Sequence, residues 1–91
     1  MRPVQGQIER LLREALQPLH LVVRDDSHLH VGHAGHRPEG ETHFYVEVVS
    51  ERFVGESRLS RQRLVHAALG DLLRERVHAL SISTRAPQEM P

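Results

Sequence analysis

The segment LHLVVRDDSHLHVGHAGHRPEGETHFYVEVV, residues 19–49, alternates in character at both ends and is irregular in between. Leu19, Leu21 and Val23 fall on one side of the first run, with His20, Val22 and Arg24 on the other. The second run repeats the pattern, setting Phe44, Val46 and Val48 opposite Tyr45, Glu47 and Val49. A period of two marks a half-buried strand, so two strands are predicted, Leu19–Asp26 and Thr42–Val49, paired antiparallel. Hairpin connections usually run about two to five residues, whereas about fifteen separate these strands; a loop of that length is functional or disordered. Gly32, Gly35, Pro38 and Gly40 keep it irregular. Five of the eight histidines (His28, His30, His33, His36 and His43) fall within the seventeen residues from Ser27 to His43. Imidazole changes charge near neutral pH and is the commonest ligand for borderline metals, so this reads as a metal-handling or proton-sensing loop.

Outward from this core, the flanks are helical. Toward the N-terminus, Pro3 suits a first helical turn, and Val4, Ile8, Leu11, Leu12, Ala15 and Leu16 recur at helical spacing until Pro18 ends the run. Toward the C-terminus, Ser50–Gly55 reads as a turn or short helical piece. Ser57 or Ser60 caps a second helix extending through Arg74, with Leu64, Val65, Ala68, Leu69, Leu72 and Leu73 as its buried stripe. Val77–Thr84 alternates again and gives a third strand, with His78, Leu80 and Ile82 on one side. The sequence therefore predicts an α+β fold: a three-stranded mixed sheet covered on one face by helices. It forms one domain over residues 1–91, ordered from about 4 to 84, with a frayed tail at 85–91.

Composition narrows the chemistry. The chain has no cysteine, which excludes disulfides, zinc ribbons and thiol nucleophiles within it. Two Phe, one Tyr and no Trp leave almost no stacking platform for single-stranded nucleic acid. Formal net charge is zero, so no overall field draws the protein to nucleic acid or to an anionic membrane. All twelve cations are arginine. No apolar run approaches the length of a membrane span, and a cytoplasmic protein without membrane contact is expected. No nucleophile elbow, phosphate loop or HExxH motif is present, so no catalytic site and no enzymatic activity are expected.

Five blocks in order, DDSHLH at 25–30, GETHF at 40–44, VVSERFVG at 48–55, SRQRLVHAAL at 60–69 and VHAL at 77–80, resemble the BolA family, and the resemblance runs from Val4 to Thr84. It implies a class II KH-like fold of αββααβ topology. It further implies an adaptor that binds a monothiol glutaredoxin, with glutathione, and shares a bridged 2Fe-2S cluster in iron-sulfur trafficking or iron-dependent regulation. Carried over by position, the ligands on this side are His78, opening the last strand, and His30, which follows the DxS element at the matching distance; His33 is the alternative loop ligand. This loop is longer than those of the family. A chain without thiolates cannot hold such a cluster alone, while two imidazoles can complete one iron if a partner supplies sulfur. Alone, the protein is expected to carry no cluster and to be a monomer or weak dimer.

Other readings compete. By position alone, His78 reads as a hydrogen-bonded edge-of-core histidine beside Leu80 and Ile82, and His43 as a structural residue at the loop base. The HxHxxHxxH run of His28, His30, His33 and His36 supplies four imidazoles, although structural zinc sites usually include cysteine. DNA binding by a transcriptional regulator is the main rival, with Arg52, Arg58, Arg61 and Arg63 as phosphate contacts. A KH domain clamps the backbone with a GxxG loop between helices. Here the only such motif is Gly32–Gly35, between the strands, while the inter-helix chain reads FVGESRL.

Overall fold

In a computed structural model of the protein, residues 3–27 and 43–89 are described. His28, His30, His33 and His36, and with them the candidate zinc run, lie outside this range. The elements follow the order α1 (Pro3–Leu16), β1 (His20–Asp25), β2 (His43–Val49), α2 (Arg58–Leu69), α3 (Asp71–Arg76) and β3 (Ala79–Arg85), with a 3-10 turn at Glu51–Phe53 and another at Pro87–Glu89. This is the αββααβ order. β2 is the middle strand, antiparallel to β1 and parallel to β3, giving a mixed sheet.

Helix α1 forms because Val4, Ile8, Leu12 and Leu16 make one apolar stripe, and all four are buried. Its outer face carries the exposed ion pairs Glu9–Arg13 and Arg10–Glu14. Gln17 takes a left-handed φ of 41° and turns the chain out of the helix before Pro18. The stripe packs on Phe44, Val46 and Val48 of β2, Phe53 of the 3-10 turn, and Val65 and Leu69 of α2. Full burial of side chains such as Ile8, Leu12 and Phe53 contributes roughly 1.5–3 kcal/mol each. Ser50, also fully buried, links three elements: its hydroxyl donates to the carbonyl of Leu16 at 2.6 Å, accepts from the N–H of Arg52, and its own N–H donates to Arg85 at 3.0 Å.

Two expectations are corrected. The helix expected to run through Arg74 is broken at Gly70, whose φ of 54° and ψ of −132° suit only glycine; the chain restarts as α3. Ser57 caps α2, accepting from the N–H of Ser60 at 3.1 Å. The tail expected to fray beyond Thr84 is instead held through Glu89. Strand β3 continues to Arg85, Ala86 is buried, and the Glu89 carboxylate receives both guanidinium nitrogens of Arg61 and the Ala86 N–H. No helix among the described residues is long and apolar enough to cross a membrane.

Candidate functional site

The end of the sheet from which residues 28–42 depart is closed by backbone and side-chain hydrogen bonds. The Asp26 N–H donates to the carbonyl of His43 at 2.8 Å, and the His43 N–H donates to the buried hydroxyl oxygen of Ser27 at 3.2 Å. The Ser27 N–H in turn donates to the Asp25 carboxylate at 2.9 Å, an Asx-type turn that stops β1. The DDS block therefore fixes the end of β1 against His43, the first residue of β2.

Parallel pairing places His43 opposite Ala79, so the residue before Ala79, His78, comes beside His43. Their ring centroids are 5.0 Å apart, with planes tilted by 57°. The two differ in burial: His43 is 5% exposed, whereas His78 lies in the bend ahead of β3 and is open to solvent. The edge-of-core reading of His78 thus fails, because the strand begins one residue later and its alternation does not reach back to the ring. Among the described residues no group of three or more His, Cys, Asp or Glu is arranged to hold a metal ion. Beyond His78 and the neighbouring His43, the described residues offer no third such ligand, so a metal at His78 would draw the others from residues 28–42 or from another molecule. Sequence reasoning placed His43 at the loop base but did not foresee its ring against His78. The parallel register supplies that contact, and periodicity carries no signal for it.

His78 also lines a groove of about 470 Å³ between α2, α3 and β3, together with His66, Leu73, Arg74, Val77 and Leu80.

The four arginines expected on a phosphate backbone do not make one surface. Arg52 donates to the carbonyl of Ala15 at 3.0 Å, at the end of α1. Arg61 is committed to Glu89 and to the carbonyl of Glu56, and its side chain is only 13% exposed. That pairing holds the Glu89 carboxyl at about 2, well below its ordinary 4.5, with the Ala86 N–H as the second cause. Arg58 shares a hollow of about 500 Å³ with Arg61, but Glu56 and Glu89 line it too. Arg63 faces a separate hollow beside Leu59 and His66.

The open face of the sheet carries a polar network. Glu47 accepts from the Tyr45 hydroxyl at 2.9 Å and meets the His20 ring at 2.7 Å; these contacts, Tyr45 first, pull its carboxyl below the usual range. The Arg24 guanidinium lies 4.6 Å from the Tyr45 ring centroid. His20, Tyr45 and Glu47 are half-buried, and Arg24 is exposed.

The family described as "BolA-like protein" matches residues 12–89. The human protein named "BolA-like protein 1" is 51% identical over 87 residues, covering 96% of this chain and 61% of its own length. The Escherichia coli protein named "DNA-binding transcriptional regulator BolA" is 41% identical, covering 94% of this chain and 78% of its own length. Among solved structures, BolA1 from Arabidopsis thaliana superposes with a TM-score of 0.85 at 35% identity, covering 97% of this chain and 96% of that one. The chain spans about three fifths of the length of the human relative.

Proposed function

The chain belongs to the BolA-like protein family, and from that membership we propose that it is an adaptor that binds a monothiol glutaredoxin and shares with it a bridged 2Fe-2S cluster. The observation that carries the proposal is the placement of His78. It is a solvent-facing imidazole, backed by buried His43, at the end of the sheet from which the histidine-rich segment departs. The donor set fits such a cluster only in partnership. With no cysteine, this chain offers imidazole alone, and the thiolates must come from the other protein and its glutathione. His78 supplies one ligand, and His30, with His33 as the alternative, the second. When bound, the cluster supplies one-electron chemistry, and imidazole ligation raises its potential relative to thiolate alone. The protein's own work is positional: His43 backs the His78 ring, and Ser27 and Asp26 fix the base of the ligand-bearing segment.

The test is visible absorption and circular dichroism after mixing the protein with a cluster-loaded monothiol glutaredoxin. A heterodimer spectrum distinct from that of the glutaredoxin alone is expected, and it is expected to shift with His78→Ala. A mixture that gives only the sum of its components refutes the adaptor.

A second reading is favoured by the Escherichia coli relative, whose name is that of a DNA-binding transcriptional regulator. In this chain Arg58 and Arg63 remain open for phosphate, while Arg52 and Arg61 are engaged within the fold. Binding to duplex DNA that falls steeply with salt and weakens in Arg58→Ala and Arg63→Ala supports it; no binding at roughly 50 mM salt removes it.

A further inference from the structure

Leu59 is 59% exposed on a helix whose buried residues are Val65 and Leu69. Leu59, Arg63, His66 and Gly70 follow at spacings of four, three and four, so they share one outward face of α2. His66 lines both the hollow beside Leu59 and the groove that holds His78, which joins the two into one strip. Its floor toward His78 is apolar, formed by Leu73, Val77 and Leu80. Its charged members are Arg63 and Arg74, and no carboxylate lines either hollow. Arg63 makes no ion pair among the described residues, and Arg74 pairs only with exposed Asp71.

We propose that this strip is the surface on which the protein carrying the thiolate side of the shared cluster docks, through a face with an apolar centre and an acidic rim. The proposal rests on the adaptor reading and names the residues that its partner meets. An exposed leucine joined to an apolar floor and rimmed by arginines is the anatomy of a protein interface. The strip ends at His78, so a partner seated along it presents its own metal ligands to that imidazole. A nucleic acid backbone is the poorer occupant, because Leu59 and the apolar floor give it nothing to contact. The hollow beside Arg61 is a poorer docking face, because two carboxylates, Glu56 and Glu89, line it and Glu89 pairs with Arg61.

The experiment titrates the full chain, by calorimetry at low and moderate salt, with a monothiol glutaredoxin loaded with a 2Fe-2S cluster, and records the visible spectrum at saturation. Leu59→Asp and the double variant Arg63→Glu/Arg74→Glu are each expected to raise Kd by roughly tenfold or more, and the double variant to flatten the salt dependence. The saturated spectrum keeps its wild-type shape, because His78 is untouched. Arg10→Glu, on the outer face of α1, leaves Kd unchanged, and thermal melts check that every variant is folded. Wild-type Kd in both strip variants, with the heterodimer spectrum intact, overturns the docking surface and leaves the adaptor standing. A wild-type chain that neither binds nor changes the spectrum overturns both. Strip variants that lose duplex DNA while keeping glutaredoxin affinity overturn the proposal in favour of a nucleic acid.

Discussion

Buried His43 lies against solvent-facing His78, ring centroids 5.0 Å apart, across the parallel β2–β3 pair. The contact divides the labour between the two residues, and the division is testable. His43→Ala removes a buried side chain and its contacts, an expected cost of about 1–3 kcal/mol, while the cluster bands of the glutaredoxin heterocomplex persist. His78→Ala removes an exposed side chain, an expected change within about 0.5 kcal/mol, while those bands shift. Denaturant unfolding and visible spectra on both variants check the pattern; the reverse pattern would make His43 the ligand.

Ser27→Ala leaves the buried His43 N–H without its hydroxyl acceptor. An unpaired buried donor costs about 1–3 kcal/mol, so the midpoint of urea unfolding falls. Amide exchange at His43 is expected to quicken with it, because this bond closes the base of the histidine-rich segment.

Gly70→Ala forces a side chain into a backbone conformation at φ 54° and ψ −132° that costs about 1–3 kcal/mol. The nearest atom to an added Cβ, the Ala67 carbonyl oxygen, is 4.0 Å away, so conformational strain rather than collision sets the cost. A fall in Tm of several degrees is expected from calorimetry, together with shifted amide resonances at Val77 and His78, because Gly70 sets the direction of α3.

The tail should unlock in acid. Glu89 has its carboxyl at about 2 in the fold against an ordinary 4.5, a depressed value caused first by Arg61. A depressed carboxyl stabilises the fold above its unfolded value and loses that contribution as pH falls through the folded one, so the window runs from about 4.5 down to about 2. Protection of the Ala86–Glu89 amides, taken against their intrinsic exchange rates at each pH, is expected to fall across that window in the wild type and to be already low at neutral pH in Glu89→Gln.

Ser50→Ala tests the buried junction of α1, β3 and the 3-10 turn. Losing its hydroxyl leaves the Leu16 carbonyl and the Arg52 N–H unpaired, an expected loss of about 1–3 kcal/mol measured by denaturant unfolding.

Most of the fold was legible in the chain. Val4, Ile8, Leu12 and Leu16 announced α1, Pro18 its end, and the alternation of Phe44, Val46 and Val48 the core face of the central strand; each is a local signal, a period set by helix or strand geometry. Gly70 was visible too, but a glycine within an apolar helical period breaks a helix only when packing favours the turn, and the period continued through Leu72 and Leu73. The tail was misread because its anchor is non-local: Arg61 and Glu89 are 28 residues apart.

The sequence alone determined the buried stripe of α1, the alternation of the strands, the absence of any thiolate, and the crowding of histidines between two strands. Tertiary structure alone decided that His43 backs His78 and that Arg52 and Arg61 are engaged within the fold. It also decided that Leu59, His66 and His78 share one surface. The reason is physical: periodicity reports which side of an element faces apolar surroundings. Which residues of different elements meet is fixed by strand register and helix packing, and these bring together side chains that have no relation along the chain.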